Sequence, residues 1–413
     1  MAKAPLPVSP LAPERFRAVP PVAGARWASL AAGIRYPGRD DLMLLEVAPG
    51  TTAAGVLTRS TTPGHPVTWC RSTLRHGRAR AVIVYAGNAN VFRGAEGVVA
   101  VRAEAEAVAA ALGCAPEEVY VASTGVIGER LPVERNTARV PELAGRLRLD
   151  GIEAAARAIM TTDTFPKGSV ATAEVGGVPV TVAGIAKGSG MIAPDMATML
   201  AFVVTDAALP APVLQALLRD GADRSFNATT VDSDTSTSDT LLLFATGAAG
   251  NRPVEAADGT TLAGFRAALL TVLTNLAHQV VRDGEGAQKF VAVSVRGAAD
   301  DAAARRIGLA IANSPLVKTA IAGSDANWGR VVMAVGKSGE AVDLARLGVA
   351  FGGHPVARDG AAVPDLDERP VSEHLRGREI SVEVTVGDGP GASTVWTCDL
   401  THGYIDINAD YRS

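Results

Sequence analysis

A threonine hydroxyl attacks a carbonyl only if a base takes its proton, and one stretch of this sequence suggests where such a base can come from. Residues 187–200 read KGSGMIAPDMATML. Gly188, Ser189 and Gly190 leave the backbone sterically loose, Pro194 interrupts regular structure, and Ala197-Thr198 opens onto the apolar run Met199-Leu-Ala-Phe-Val-Val204. Cutting the Ala197–Thr198 bond makes Thr198 an N-terminus whose own α-amine is the base. That amine has an unperturbed pKa of roughly 7.7–8.0, so much of it is free near neutral pH. The same hydroxyl can make the cut by attacking the preceding carbonyl, giving an ester that water opens. On residue types alone, a threonine that simply begins a strand is the plainer reading.

Other chemistries fare worse. Gly188-x-Gly190-x-x-Ala193 follows a strand-like run and has Asp206 downstream, but a dinucleotide fingerprint needs a helix and a long crossover after its glycines. Gly336-Lys337-Ser338 lacks the earlier glycine of a phosphate loop; that position is Val331, read here as part of a strand over 331–335. The tract Asp232-Ser-Asp-Thr-Ser-Thr-Ser-Asp239 has no terminal Glu at calcium-loop spacing and reads as a capped turn entering a strand. The six histidines form neither HExxH nor an i,i+4 pair, and Cys70, Cys114 and Cys398 form no CxxC, so no metal site or disulfide framework is expected.

The elements that must position the 187–200 stretch are strands on both sides. Residues 178–186 and 199–204 read as strands, as do 42–47, 53–57, 81–86, 119–122, 241–245 and 290–295. Helical spacing marks 97–112, 149–160, 212–223, 262–281 and 300–312, and Ser314-Pro315 starts a further element. Ser123-Thr124-Gly125 is expected in a loop just after the strand at 119–122, Thr161-Thr-Asp-Thr164 as a cap, and 404–413 as a tail. Residues 1–26, rich in Pro and Ala, are expected to wrap a surface. Strands and helices mix without βαβ alternation, which favours sheets packed on each other with helices outside over a doubly wound parallel sheet.

The chain has 413 residues, 47% apolar and 20% charged, with a net charge of −4. That composition suits a globular enzyme and gives no global attraction to nucleic acid or anionic membrane. No run of about 18 apolar residues predicts a membrane span, the N-terminus lacks a signal-peptide core, and a cytoplasmic location is expected.

KGSGMIAPDMATML with the following Thr205-Asp206-Ala207 resembles the self-cleavage segment of the ornithine acetyltransferases. These are the bifunctional glutamate N-acetyltransferases/amino-acid acetyltransferases of the cyclic arginine pathway. The resemblance covers nearly the whole chain and extends through Gly87-Asn-Ala-Asn90, Ser123-Thr-Gly-Val-Ile-Gly128, Met160-Thr-Thr-Asp-Thr-Phe-Pro-Lys167 and the 232–239 tract. It continues in Gly284-Glu-Gly-Ala287, Ser314-Pro-Leu-Val-Lys-Thr319, Asn327-Trp-Gly-Arg330 and Ile407-Asn-Ala-Asp-Tyr411.

The resemblance implies self-cleavage between Ala197 and Thr198 into an α chain (1–197) and a β chain (198–413) that form one intertwined catalytic unit. It implies an α+β layered sandwich of sheets between helices, of the αββα, N-terminal-nucleophile-like kind, with a smaller α/β region, assembled as two α and two β chains. Thr198 would take the acetyl group from N-acetylornithine and pass it to glutamate, ping-pong. Thr124 and Gly125 match the family's oxyanion-stabilising pair; Thr161, Lys187, Thr198, Glu285, Asn408 and Ser413 match its substrate-binding positions. Lys187 supplies a positive charge for a carboxylate and Glu285 a negative one for an amine; which substrate group each meets is left open. No metal or cofactor is implied, although some members also use acetyl-CoA as donor. Asp195 replaces a frequent Asn within the cleavage loop. Without the resemblance, Lys187 and Glu285 would read as surface charges and Asn408 and Ser413 as a frayed tail.

Two other functions fit a self-processing fold: an aminopeptidase or amidase releasing its product to water, and a scaffold that keeps the fold without activity.

Overall fold

The computed structural model describes residues 6–193, 199–254, 256–257 and 259–409. They fall into two compact units: Glu14–Asn227 with Asp234–Val280, and Met1–Pro13 with Ala228–Ser233 and Val281–Ser413.

In chain order the larger unit holds β1 (Ala25–Leu30), β2 (Leu42–Val47), β3 (Thr52–Leu57), α1 (His65–Thr73), β4 (Ala81–Asn88), α2 (Gly94–Leu112) and β5 (Val119–Val126). Then come α3 (Val133–Gly145), α4 (Ile152–Ala158), β6 (Lys167–Val175), β7 (Val178–Lys187), β8 (Leu200–Thr205), α5 (Ala211–Asp223), β9 (Thr240–Ala245) and α6 (Ala263–Arg282), whose last two residues count with the smaller unit. The strands form two sheets, β1-β2-β4-β5 and β3-β9-β8-β7-β6. Both are antiparallel except for the β4–β5 and β8–β9 pairs.

Period-two alternation decides how the layers stack. Trp27, Met43, Leu45, Val82, Val84 and Tyr120 of the first sheet face Ile185, Phe202, Val204, Leu242 and Phe244 of the second in one core. Tyr120 and Phe244 meet edge to face across it, with centroids 5.7 Å apart, a contact worth about 0.5–1.5 kcal/mol beyond burial. The alternate residues of the first sheet, Leu30, Leu44, Ile83 and Val121, pack on α2 and α3. On the far side of the second sheet a Cβ at Gly184 would touch Leu276 of α6. The unit is therefore helix, sheet, sheet, helix, as the mixed pattern and the resemblance led us to expect.

By length and composition alone, Thr260–Arg282 is apolar enough to cross a membrane. Its apolar side is spent on the core: Phe265, Leu269, Val272, Leu273, Leu276 and Val280 are buried at helical spacing. Its Gln279 amide also closes the open edge of β6, taking the Gly168 N–H at 3.1 Å and giving a hydrogen to its carbonyl at 3.0 Å.

The smaller unit has β10 (Phe290–Ala298), α7 (Asp301–Ala312), α8 (Pro315–Ala322), α9 (Trp328–Gly336), β11 (Gly348–Phe351), β12 (His354–Arg358), β13 (Ala361–Ala362), α10 (Glu368–Arg376), β14 (Glu379–Thr385), β15 (Gly391–Cys398) and α11 (His402–Asn408). Its sheet runs β13-β12-β11-β14-β10-β15, packed against α7 through Ala303, Ile307 and Ile311.

Three expectations need correcting. Residues 331–335 are the body of α9, not a strand; Val331, Ala334 and Val335 are buried at i, i+3, i+4, and so short an apolar run does not distinguish the two. Thr124 and Gly125 close β5 rather than follow it. The described part of the expected tail is helical: the Thr401 side chain accepts from Gly403 N and starts α11. The sequence reading also passed over β1, α1, α3 and β6.

Candidate functional site

Lys187 is the last residue of β7, paired with Leu200, the first of β8. Its side chain is buried at 3% exposure and reaches from the second sheet to the first. Its ammonium donates to Thr161 Oγ1 at 2.7 Å and to Thr124 Oγ1, on β5, at 3.3 Å. Three of the residues singled out from the sequence thus meet at the ends of β7 and β5. Lys187 is not the solvated loop charge that residue type alone suggested.

Asp163 organises this cluster. One carboxylate oxygen takes Lys167 Nζ at 2.7 Å and the Gly188 N–H at 2.6 Å. The other takes the Thr161 N–H at 3.0 Å and lies 3.7 Å from Lys187 Nζ. Burial works against its charge, yet Lys167 and Lys187 together hold the carboxyl well below the usual carboxylate range. The carboxylate therefore fixes the backbone on both sides of the site and the ammonium in it. Beside it, the hydroxyls of Thr162 and Ser189 meet at 2.6 Å. The sequence reading quoted Asp163 only within a motif and as a cap; a carboxylate flanked by lysines at 167 and 187 was the available signal.

Gly125 has a reason to be glycine. Its φ is +134°, and a Cβ would lie 2.2 Å from the Gly87 carbonyl carbon. Here β4 and β5 pinch together through a register shift at Gly87 and Asn88. Thr124 and Gly125 stay paired with Ala86 and Gly87 of β4 up to that shift.

In the smaller unit Glu285 and Asn408 are together: Asn408 Nδ2 donates to Glu285 Oε2 at 2.6 Å. The contact depends on Gly286, whose φ is +76° and whose missing Cβ would lie 2.4 Å from Tyr404 N. Thr401 Oγ1 also donates to Gly286 O at 2.7 Å, and Tyr404 reaches Asp232 at 3.3 Å. Helix α11 is thereby laid against the Glu285 turn; Glu285 is buried, and Asn408, though exposed, is tied to it. Ala197, Thr198 and Ser413, like Asp195, lie outside the described residues. Among the described residues no group of His, Cys, Asp and Glu could hold a metal ion.

The ArgJ family model matches residues 26–413. The chain belongs to the ArgJ family. An ArgJ relative from Gluconobacter oxydans (strain 621H), named arginine biosynthesis bifunctional protein, is 58% identical over 416 residues, spanning 100% of this chain and 97% of that protein. One of the same name from Agrobacterium fabrum (strain C58 / ATCC 33970) is 55% identical over 409 residues, spanning 98% of this chain and 99% of its own. In the crystal structure of ArgJ from Bacillus halodurans, a chain 39% identical is covered over 100% of its length by 52% of this one, with a TM-score of 0.50. The Lys187–Thr161–Thr124 cluster thus lies in a chain of the ArgJ family.

Proposed function

We propose that this ArgJ chain cuts itself between Ala197 and Thr198 and then carries acetyl groups on Thr198. It is an acetyltransferase of arginine biosynthesis. Its hydroxyl attacks the acetyl carbon of N2-acetyl-L-ornithine while the freed α-amine takes the hydroxyl proton, and that proton leaves with ornithine. Glutamate's amine then attacks the acetyl-Thr198 ester, giving N-acetylglutamate and restoring the hydroxyl. In each half-reaction the Thr124 hydroxyl and the Gly125 N–H stabilise the tetrahedral oxyanion. Lys187, Thr161, Glu285, Asn408 and Ser413 bind the amino-acid substrates.

The observation that carries this reading is the buried Lys187 ammonium between Thr161 and Thr124, at the β7 end beside the first residue of β8. It supplies a cation for a carboxylate and hydroxyl groups for the reacting carbonyl, and its strand partner Leu200 follows the nucleophile in the sequence by two residues. The solved Bacillus halodurans chain, wholly matched by about half of this one, is of the size a cut near the middle leaves. The sheet joins β7 from before the cut to β8 and β9 from after it, so α and β chains stay interleaved. The acyl group passes between amines through an ester and needs no cofactor; acetyl-CoA is a second donor to glutamate in this scheme. Two α and two β chains in the cytoplasm complete the reading. A self-processing hydrolase is not favoured, since family and relatives are biosynthetic.

Mass spectrometry of the purified protein tests it. Two fragments are expected, the second beginning at Thr198 and gaining one acetyl group in N-acetylornithine. Thr198→Ala leaves one uncut, inactive chain; a cut and active variant overturns the assignment.

A further inference from the structure

Between α4 and β6 the chain passes through Met160-Thr161, and side chains grip the peptide joining these two residues from both sides. Its hydrogen is the Thr161 N–H that Asp163 takes at 3.0 Å. Its oxygen, Met160 O, accepts from Arg39 Nη2. A peptide unit is planar and carries the next Cα in its plane, so contacts on both its oxygen and its hydrogen fix where Thr161 Cα sits. Two bonds further on, the Thr161 hydroxyl receives Lys187 Nζ at 2.7 Å. Asp163 is a member of the Lys187 cluster. Arg39 comes from outside it, in the segment between β1 and β2.

That segment is itself built firmly. The Asp41 carboxylate takes the Ala32 N–H at 2.6 Å and the Ile34 N–H at 2.7 Å, and the Asp41 carbonyl takes Ala86 N of β4 at 2.9 Å. Arg35 and Tyr36 lie on Gly87, where a Cβ would come 2.6 Å from Arg35 Cβ and 3.4 Å from Tyr36 Cε2. Gly87 is the strand partner of Gly125. The Arg39 guanidinium carbon stands 4.0 Å from the centroid of the Tyr36 ring. Only a planar guanidinium can lie flat on a ring and donate from its edge at the same time. The acids next to Arg39 are committed elsewhere, Asp41 to backbone and Asp40 to Ser29 Oγ at 2.6 Å. Arg39 Nε is buried without a hydrogen-bond partner among the described residues, a cost that calls for an explanation.

We propose that Arg39 is a positioning residue for acetyl transfer: by holding the Met160 carbonyl it sets the Thr161 hydroxyl, and through that hydroxyl the Lys187 ammonium. This rests on the substrate-binding role proposed above for Thr161 and Lys187. Arg39 acts through the 160–161 peptide and not by touching substrate. The same segment, seated on Gly87 beside Gly125, ties the placing of Thr161 to the backbone of the oxyanion pair, so the binding groups and the oxyanion donors keep one spacing.

Steady-state kinetics of the full-length protein, in the parent and in a Thr161→Val background, test this. KM does not depend on how much of the enzyme is active, so a change in self-cleavage does not enter. In the parent, Arg39→Met should raise the KM for N-acetylornithine and for glutamate roughly 10-fold, the loss of one charge-assisted hydrogen bond, with kcat little changed. In Thr161→Val the hydroxyl that Arg39 sets is gone, and Arg39→Met should then move KM by no more than about 2-fold. Parental KM values with only a lower melting temperature would make Arg39 merely structural, and an equal rise in both backgrounds would mean that it does not act through Thr161. Either result overturns the proposal. If Arg39→Met does not fold, Tyr36→Leu decides. Losing the stacked ring should raise KM about 3-fold, and only where Thr161 is present; a parental KM or the same rise without Thr161 overturns it. Thr161→Val alone with parental KM values would instead remove Thr161 from the proposed function.

Discussion

Asp163 and Lys167 form an ion pair at 2.7 Å in which neither side chain reaches solvent. The same carboxylate holds Gly188 N, Thr161 N and, at 3.7 Å, Lys187. Removing one partner of a buried pair leaves the other charge without compensation, which costs about 3–5 kcal/mol. Asp163→Asn should lose that much stability in urea denaturation. The folded carboxyl titrates below its unfolded value. Its contribution is therefore complete above the unfolded pKa of about 3.9 and is lost as the pH falls below it. Parent stability should drop on that acid side, and the Asn variant should show a shallower drop; parallel curves refute the assignment.

The Lys187 ammonium and the Thr124 hydroxyl touch, yet their removal should separate in kinetics. Lys187→Met takes away a charged binding group and should raise the KM for N-acetylornithine by about 10- to 100-fold, the worth of a charge-assisted hydrogen bond. Thr124→Val keeps the shape of the β5 end but removes an oxyanion donor, and should lower kcat by about 100-fold with little change in KM. Steady-state kinetics with melting curves check both. A Thr124→Val variant of parental kcat would remove Thr124 from the oxyanion site.

Much of this architecture could be read from residue order, and the misses have definite causes. The strand at Leu42–Val47 was read with its observed limits, because apolar runs bounded by Gly and Pro mark a doubly covered strand. Helix α5 was found from its amphipathic spacing and observed at Ala211–Asp223. Pairing was not legible: nothing local says that β8 lies between β7 and β9, since partners distant in sequence are chosen by the core they jointly cover. Residues 331–335 misled because Val suits both a strand and a buried helix face. At the site, the resemblance supplied Lys187, Thr161 and Thr124, but not what holds them. Asp163 looked like a turn residue, since burial, not residue type, decides whether a carboxylate caps a turn or organises a core.

Asn408 and Glu285 are 123 positions apart and joined at 2.6 Å. If they bind one substrate group together, their effects should not add. In a double-mutant cycle of Glu285→Gln and Asn408→Ala, read as KM for N-acetylornithine, the coupling should be about 1 kcal/mol or more, within the range for residues in contact. Additivity within about 0.3 kcal/mol would mean that they act independently.

Glu104, on α2, sets a second pH dependence with the opposite sign. Fully buried, it accepts from Asn136 Nδ2 at 2.8 Å through one oxygen. Its other oxygen and Asn136 Oδ1 are both buried without a hydrogen-bond partner among the described residues. A carboxylate cannot serve a second acceptor, whereas a protonated acid has a hydrogen to give. Burial raises its pKa to about 8 against the Asn136 hydrogen bond. The folded chain therefore holds a proton that the unfolded chain releases near its ordinary pKa of about 4.3. In that window the native state binds more protons, so stability falls as the pH rises from about 4.3 toward 8. Melting temperatures of the parent should decline across this range, while Glu104→Gln, which carries a permanent donor of the same shape, should hold level there. A Gln variant that tracks the parent at every pH would show Glu104 to be ionised inside the fold.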